Sequence, residues 1–282
     1  MRKRSFLITF LKFVGNIIPG NYLKTFIYLN FIVYPRKIIR LTLTSFYRID
    51  HIYDVIKEFK LNYKGNFSIM EFGVADGYAF TKKLYATKYL KMDERIILHG
   101  FDTFEGMPDT TEKTDKDLIA NDGWVKGQFK TEFEKLNDYC LRNYNNFKFH
   151  KGLFSETLNE KFLLTLRKNL PILIWMDADY YSSTKSVFEK IIPYIPNGCV
   201  IYFDEPEFNY GSRFSGESKI IYEINTGKFG EGIELILDTD LSLNQKRVYR
   251  FINVNAESRY ERLSKLNVES ELHRRTNDSP FP

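Results

Sequence analysis

From about residue 49 onward, two hydrophobic periods alternate along the chain. Ile49, Ile52, Ile56 and Phe59 recur at helical intervals, and the polar run KLNYKGN over 60–66 ends that pattern. Phe67–Phe72 then reads as a buried strand, followed by the turn Gly73–Gly77 and a helix over 78–90 with Phe80 and Leu84 on its inner face. A second strand, Arg95–Phe101, ends at Asp102. The acidic stretch Asp102–Val125 is too long for a simple connection and is a candidate lid, with Trp124 a candidate to close it. Phe129, Phe133, Leu136 and Cys140 are spaced as one helix face, and a short strand Phe147–His150 and a helix over 156–168 follow. The run Pro171–Met176 predicts a central strand, then a helix over 182–195 that Pro196-Asn197-Gly198 stops before the strand Cys199–Phe203. After a helix over 217–228, Ile233–Leu237 and Val248–Val254 are joined by too few residues for a crossover helix, which predicts an antiparallel hairpin. The β-α alternation before it predicts an α/β domain with a mostly parallel sheet covered by helices on both faces.

Two of these strands end in acids. Pro171–Met176 runs into Asp177 and Asp179, and Cys199–Phe203 runs into Asp204 and Glu205. Ligands of an open α/β sheet bind outside the carboxyl ends of its strands, so these acids are predicted to share a crevice. Converging carboxylates repel one another unless a positive charge sits among them, and an all-oxygen donor set points to a divalent ion, Mg2+ above others. The turn Glu71-Phe-Gly-Val-Ala-Asp-Gly77 lacks the GxGxxG and GK[ST] spacings that cradle nucleotide phosphates. Asp102, at the end of the second strand, stands where a carboxylate can accept ribose hydroxyls. A competing use for Asp179 is capping the helix that starts at Ser182-Ser183-Thr184. The four histidines have no ligand spacing.

Charge changes the picture only at the N-terminus. The first 49 residues hold nine Lys or Arg and no acid, whereas the remainder is net acidic. The arm is also rich in aromatic and aliphatic residues, so residues 1–48 fit a helical cap on the domain or on a second subunit, or a segment lying on an anionic membrane surface. Lys12, Pro19 and Lys24 interrupt it before a membrane span accumulates. A hydrophobic content of 43% excludes a disordered chain. Cys140 and Cys199 fall in a predicted helix and a predicted strand, which suits core thiols in a reducing cytoplasm. Nucleic-acid binding is disfavoured, because the basic residues cluster in an apolar arm. The expected organisation is an extension over 1–48, a domain over 49–255 and a charged tail over 256–282 with a helix reaching Leu272.

The E-x-G-x-x-x-G turn resembles the first motif of class I S-adenosylmethionine-dependent methyltransferases. Together with Gly100–Pro108 (GFDTFEGMP), Gly152–Leu158 (GLFSETL), Asp177–Tyr181 (DADYY) and Gly198–Glu205 (GCVIYFDE), it occurs in the order and spacing of the macrocin O-methyltransferase family. The resemblance implies a Rossmann-like fold with a seven-stranded sheet, S-adenosylmethionine, Mg2+ and methylation of a sugar hydroxyl on a glycan or glycosylated metabolite. It implies that Glu71, Gly73, Gly77 and Asp102 hold the cofactor, that Gly152 and Leu153 lie by the adenine, that Asp177, Asp204 and Glu205 ligate the metal, and that Asp179 is the general base. Glu205-Pro206 departs from the family pattern of a second Asp followed by an aromatic residue. A catechol-type methyltransferase and a non-catalytic cofactor-binding module are the alternatives to an enzyme acting on sugars.

Overall fold

The computed structural model describes residues 52–110, 112, 114, 115, 125–242, 247–256 and 260–263, all within the unit Ile49–Pro282. The expectations for the arm 1–48, for Trp124 and for the tail beyond 263 lie outside the described residues. Seven strands form one sheet: β1 Asn66–Phe72, β2 Ile96–Asp102, β3 Phe147–Lys151, β4 Asn169–Met176, β5 Val200–Phe203, β6 Ile233–Leu237 and β7 Val248–Asn253. Their spatial order is β3-β2-β1-β4-β5-β7-β6. The first five are parallel, while β7 runs antiparallel to both β5 and β6. The predicted hairpin is therefore present, with its second strand inserted against the parallel sheet.

Helices cover both faces. α1 (52–62), α2 (Tyr78–Tyr89) and α3 (Phe133–Asn143) share one core with Leu173, Trp175, Val200 and Tyr202. α4 (Phe154–Thr157), α5 (Glu160–Thr165), α6 (Tyr181–Ile191) and α7 (Gly216–Asn225) bound the other, with Ile174, Met176, Ile201 and Phe203. Successive strand residues thus point into opposite cores, and each central strand is buried on both sides as its continuous apolar run implies. Successive strands are added to one side of β1 up to β3 and to its other side from β4 onward, and a ligand crevice opens at such a switch point.

Several boundaries differ from expectation for local reasons. The helix predicted over 156–168 is broken in two, because Asn159 leaves the helical conformation and caps the second piece by accepting from Phe162 N at 3.0 Å. Phe129 is half exposed with φ +62°, so the next helix begins only at Phe133. α6 gives way at Ile192 to a 3-10 turn containing Pro193. Residues 260–263, expected to be helical, are extended and strapped to the domain: Leu263 N donates to Asn62 O at 2.8 Å, and the buried Tyr260 packs on Phe59 and Phe67 while its hydroxyl donates to Pro171 O. Both cysteines are buried free thiols.

The strand ends are laced together beyond the sheet proper. Gly152 N donates to Asp102 O, Gly73 N to Phe101 O, Asp177 N to Phe72 O and Asp204 N to Met176 O, all within 2.9–3.0 Å. Gly73 has φ +88°, and a Cβ built on it would lie 1.8 Å from the Asp177 carbonyl oxygen, which is backbone and cannot swing aside. We expect Gly73→Ala to destabilise the protein by about 3 kcal/mol or more, the sum of left-handed strain and overpacking. Gly198→Ala, at φ +88° with open space around the new methyl, should lose only about 1–2 kcal/mol. Urea denaturation of both variants checks the difference, and equal losses would refute the close-approach argument.

Candidate active site

The site is a row of chain ends at the carboxyl edge of the sheet: Gly152 after β3, Asp102 closing β2, the Gly73–Gly77 turn after β1, Asp177 and Asp179 after β4, and Asp204 and Glu205 after β5. Asp102 shapes the turn directly. Its Oδ2 accepts from Val74 N at 2.8 Å and Ala75 N at 2.9 Å, and its Oδ1 accepts from Phe104 N at 2.7 Å. Ala75, with φ +46°, is held by that carboxylate in a left-handed conformation. The turn is thus preformed, and the carboxylate assigned to ribose already ties two loops together. Gly77 begins α2 in a left-handed conformation and lies against Leu136 of α3. Leu153 stands partly exposed beside Gly152 at the start of α4.

Glu71 is placed differently from the crevice residues. It is 1% exposed and ion-paired at 2.7 Å to Lys83 of α2, itself fully buried, with the ammonium 3.8 Å from the centre of the Trp175 ring. Burial pushes Glu71 up and Lys83 down, and their contact offsets both shifts. Glu71 therefore supports the turn from beneath.

The acids after β4 and β5 face one another electrostatically. Burial first, and then Glu205 and Asp204, push the Asp179 carboxyl up to about 7. Asp179 also holds φ +56°, an uncommon conformation for a residue other than glycine. It does not cap α6: the N-cap is Tyr180, without a side-chain cap, and Ser182 N donates instead to Asp115 Oδ1 at 3.3 Å. Asp115 is a buried residue of the connection after β2, and its other oxygen accepts from Thr110 Oγ1 at 3.0 Å. Asp204 is buried. Its Oδ1 accepts from the Tyr202 hydroxyl at 3.0 Å, and Arg247 Nη1 donates to its backbone oxygen. Glu205 is held through its backbone, which donates to Glu217 Oε2 at 2.9 Å. Glu217, buried in the first turn of α7, is raised well above the ordinary carboxylate range by burial and then by Asp177, Asp204 and Asp179.

Sequence reasoning missed Asp115, Glu217, Lys83, Tyr202 and Arg247. Only Glu217 carried a signal, an acid just inside a predicted helix start. His99 and His150, assigned no ligand role, pair at 3.0 Å on β2 and β3, and burial lowers both. A cavity of about 610 Å3 opens beside the turn between α2 and α3, lined by Asp76, Tyr78, Lys130 and Tyr139 among others, but by none of the edge carboxylates.

The donor chemistry fits a hard divalent cation: Asp177, Asp204 and Glu205 offer only oxygen, and the negative charge around Asp179 is in excess. Among the described residues, no three His, Cys, Asp or Glu side chains converge closely enough to hold an ion together.

The raised Asp179 makes stability pH-dependent. A carboxyl with pKa about 7 folded and 3.8 unfolded contributes stability that is full below pH 3.8 and is lost as pH rises through about 7. Asparagine has no such proton and tolerates positive φ, so Asp179→Asn should melt higher relative to the parent at pH 8 than at pH 4, in EDTA. A pH-independent difference between the two melting temperatures would contradict the shift.

A sequence profile of the macrocin O-methyltransferases (TylF) matches residues 35–216. None of the curated proteins matches the chain in sequence. Among solved structures, the chain is similar to CalS11, a calicheamicin methyltransferase, at 21% identity and TM-score 0.54, over 88% of this chain and 91% of that one. It is also similar to the O-methyltransferase NovP at 17% identity and TM-score 0.50, over 73% and 79% of the two chains.

Proposed function

The chain belongs to the macrocin O-methyltransferase family and is an S-adenosylmethionine-dependent O-methyltransferase; we propose that its acceptor is a sugar hydroxyl of a glycan or glycosylated metabolite and that Mg2+ assists the transfer. The observation that carries this reading is the juxtaposition, across the Gly73–Asp177 contact, of a preformed glycine turn and a set of strand-edge acids with one carboxyl near neutrality. The sugar preference is supported by the family.

In this reading the Gly73–Gly77 turn, held by Asp102, binds the cofactor, with Gly152 and Leu153 alongside. Glu71 acts indirectly, by fixing Lys83 beneath the turn. Asp177, Asp204 and Glu205 are the residues that would hold Mg2+. When bound, the cofactor supplies an electrophilic methyl on a cationic sulfur, and the metal supplies a Lewis acid that orients and acidifies a hydroxyl. Asp179 would accept the proton of the acceptor's hydroxyl. A sugar hydroxyl is a weak nucleophile, and a base with pKa near the working pH is well matched to that task. Partial burial limits the water around the base, and the backbone lacing fixes its distance from the turn.

Calorimetric titration with S-adenosylmethionine, with and without MgCl2, followed by incubation with sugar nucleotides and glycosides, tests the reading. Asp179→Asn should bind cofactor as the parent does and lose about 100-fold or more in kcat. Absence of cofactor binding by the parent, or loss of it in a folded Asp179→Asn, would contradict the assignment. Failure of Asp177→Ala and Asp204→Ala to abolish the heat of Mg2+ binding would contradict the metal ligands.

A further inference from the structure

Residues 206–215 lead from the acids after β5 into α7, and the base of this loop is fixed. Glu205 N donates to Glu217 Oε2 at 2.9 Å, Ser218 Oγ donates to Pro206 O, and Gly211 N donates to Glu207 O at 3.1 Å. The Glu207 carboxylate pairs with Arg247 at 3.2 Å, and Ser215 is buried. At the apex, in the 3-10 turn Phe208–Gly211, Tyr210 is fully exposed and holds φ +60°. Its side chain makes no hydrogen bond or ring contact among the described residues. That is unfavourable twice over, because a left-handed backbone strains an aromatic residue and the ring gains no packing in return. Ala75 and Phe104, left-handed residues beside the glycine turn, are held there through their amides by Asp102. Phe214, farther along the loop, and Tyr222 of α7 are lined by the Arg213 guanidinium, 5.1 and 5.2 Å from their ring centres. The Tyr210 ring, by contrast, is anchored at its backbone and open to whatever enters beside the edge acids.

We infer that Tyr210 is an acceptor-binding residue whose ring stacks on the C–H face of the sugar to be methylated. The inference rests on the proposed sugar acceptor, and no metal ligand enters it. Position along the edge assigns the loop to the acceptor. The chain ends given to the cofactor follow β3, β2 and β1, the base Asp179 follows β4, and the loop follows β5, so the loop lies across the base from the cofactor half. An acceptor must approach the methyl group from the side that the cofactor leaves open. Tyrosine suits such a ligand: it offers a flat apolar face to the C–H groups of a pyranose and a hydroxyl to its polar substituents, on a side chain with few torsions to immobilise. Because the loop is tied at Glu207 and Gly211, the ring is presented in advance and little ordering remains for binding to supply.

The test joins a resonance to kinetics. The full chain is labelled with fluorotyrosine and loaded with S-adenosylhomocysteine, the Tyr210 fluorine signal is assigned by its absence from Tyr210→Gly, and a panel of glycosides and sugar nucleotides is titrated in. Sugars that the enzyme methylates should shift that signal saturably. With such a sugar, Tyr210→Gly should raise the acceptor KM about tenfold with kcat little changed and S-adenosylmethionine affinity unchanged. The same variant relieves the left-handed strain and should melt no lower than the parent, whereas a structural role predicts a lower melting temperature. Tyr210→Phe, which keeps the ring, should raise KM less than Tyr210→Gly does. A signal unmoved by a methylated sugar, or a parent-like KM in Tyr210→Gly, would overturn the inference while leaving the sugar reading intact. A lower melting temperature with matched losses of cofactor and acceptor affinity would also overturn it. A parent that binds S-adenosylmethionine but methylates no sugar of the panel would overturn the sugar reading and this inference with it.

Discussion

The missing side chain of Gly73 lets the two halves of the site meet. The backbone of the β1 turn lies so close to the Asp177 carbonyl that a methyl group would occupy the same space. One segment brings the glycine turn and Asp102, and the other brings the acids of β4. Hydrogen bonds from Gly73 to Phe101, Asp177 to Phe72 and Asp204 to Met176 extend this contact sideways, so four strand ends behave as one rigid edge. Reaction geometry in a group transfer depends on fixed distances between donor and base, and a backbone-on-backbone contact fixes them better than side chains do.

Charge is managed in two different ways on the two sides of that edge. Beneath it, Glu71 and Lys83 neutralise each other out of reach of water, with Trp175 against the ammonium. At the edge itself, burial and then the neighbouring acids raise Asp179 and Glu217, and Arg247 contacts Tyr202, Asp204 and Glu207. A protein that buries carboxylates without matching cations accepts lower stability at neutral pH. Such a penalty is common where a cation or a transferred proton is the missing partner.

Much of the domain was legible in the chain because the central strands are buried on both faces. Their apolar runs are continuous and stop where the acids begin, which located β4, β5 and the edge at once. Helix ends were less legible. Asn159 and Pro193 acted at single positions within patterns that otherwise continue, and residues 260–263 took an extended path because Tyr260 found a pocket among Phe59, Tyr63 and Phe67. Single acids at strand ends could be read from sequence, but their partners could not. Asp115 reaches Ser182 across 67 residues, Glu217 reaches Glu205 across 12, and Arg247 reaches Asp204 across 43, and no period encodes such meetings. Capping of α6 by Asp179 was a reasonable competing use, and Asp115 takes that place.

The central claim is that the glycine turn and the edge acids form one site, with cofactor methyl and metal side by side. It is tested most directly by replacing Mg2+ with Mn2+ and following the S-methyl proton resonance of bound S-adenosylmethionine. The account predicts strong paramagnetic broadening of the methyl signal that disappears in Asp177→Ala and Asp204→Ala. Cofactor that binds with a methyl resonance unaffected by bound Mn2+ would place the metal elsewhere and contradict the account.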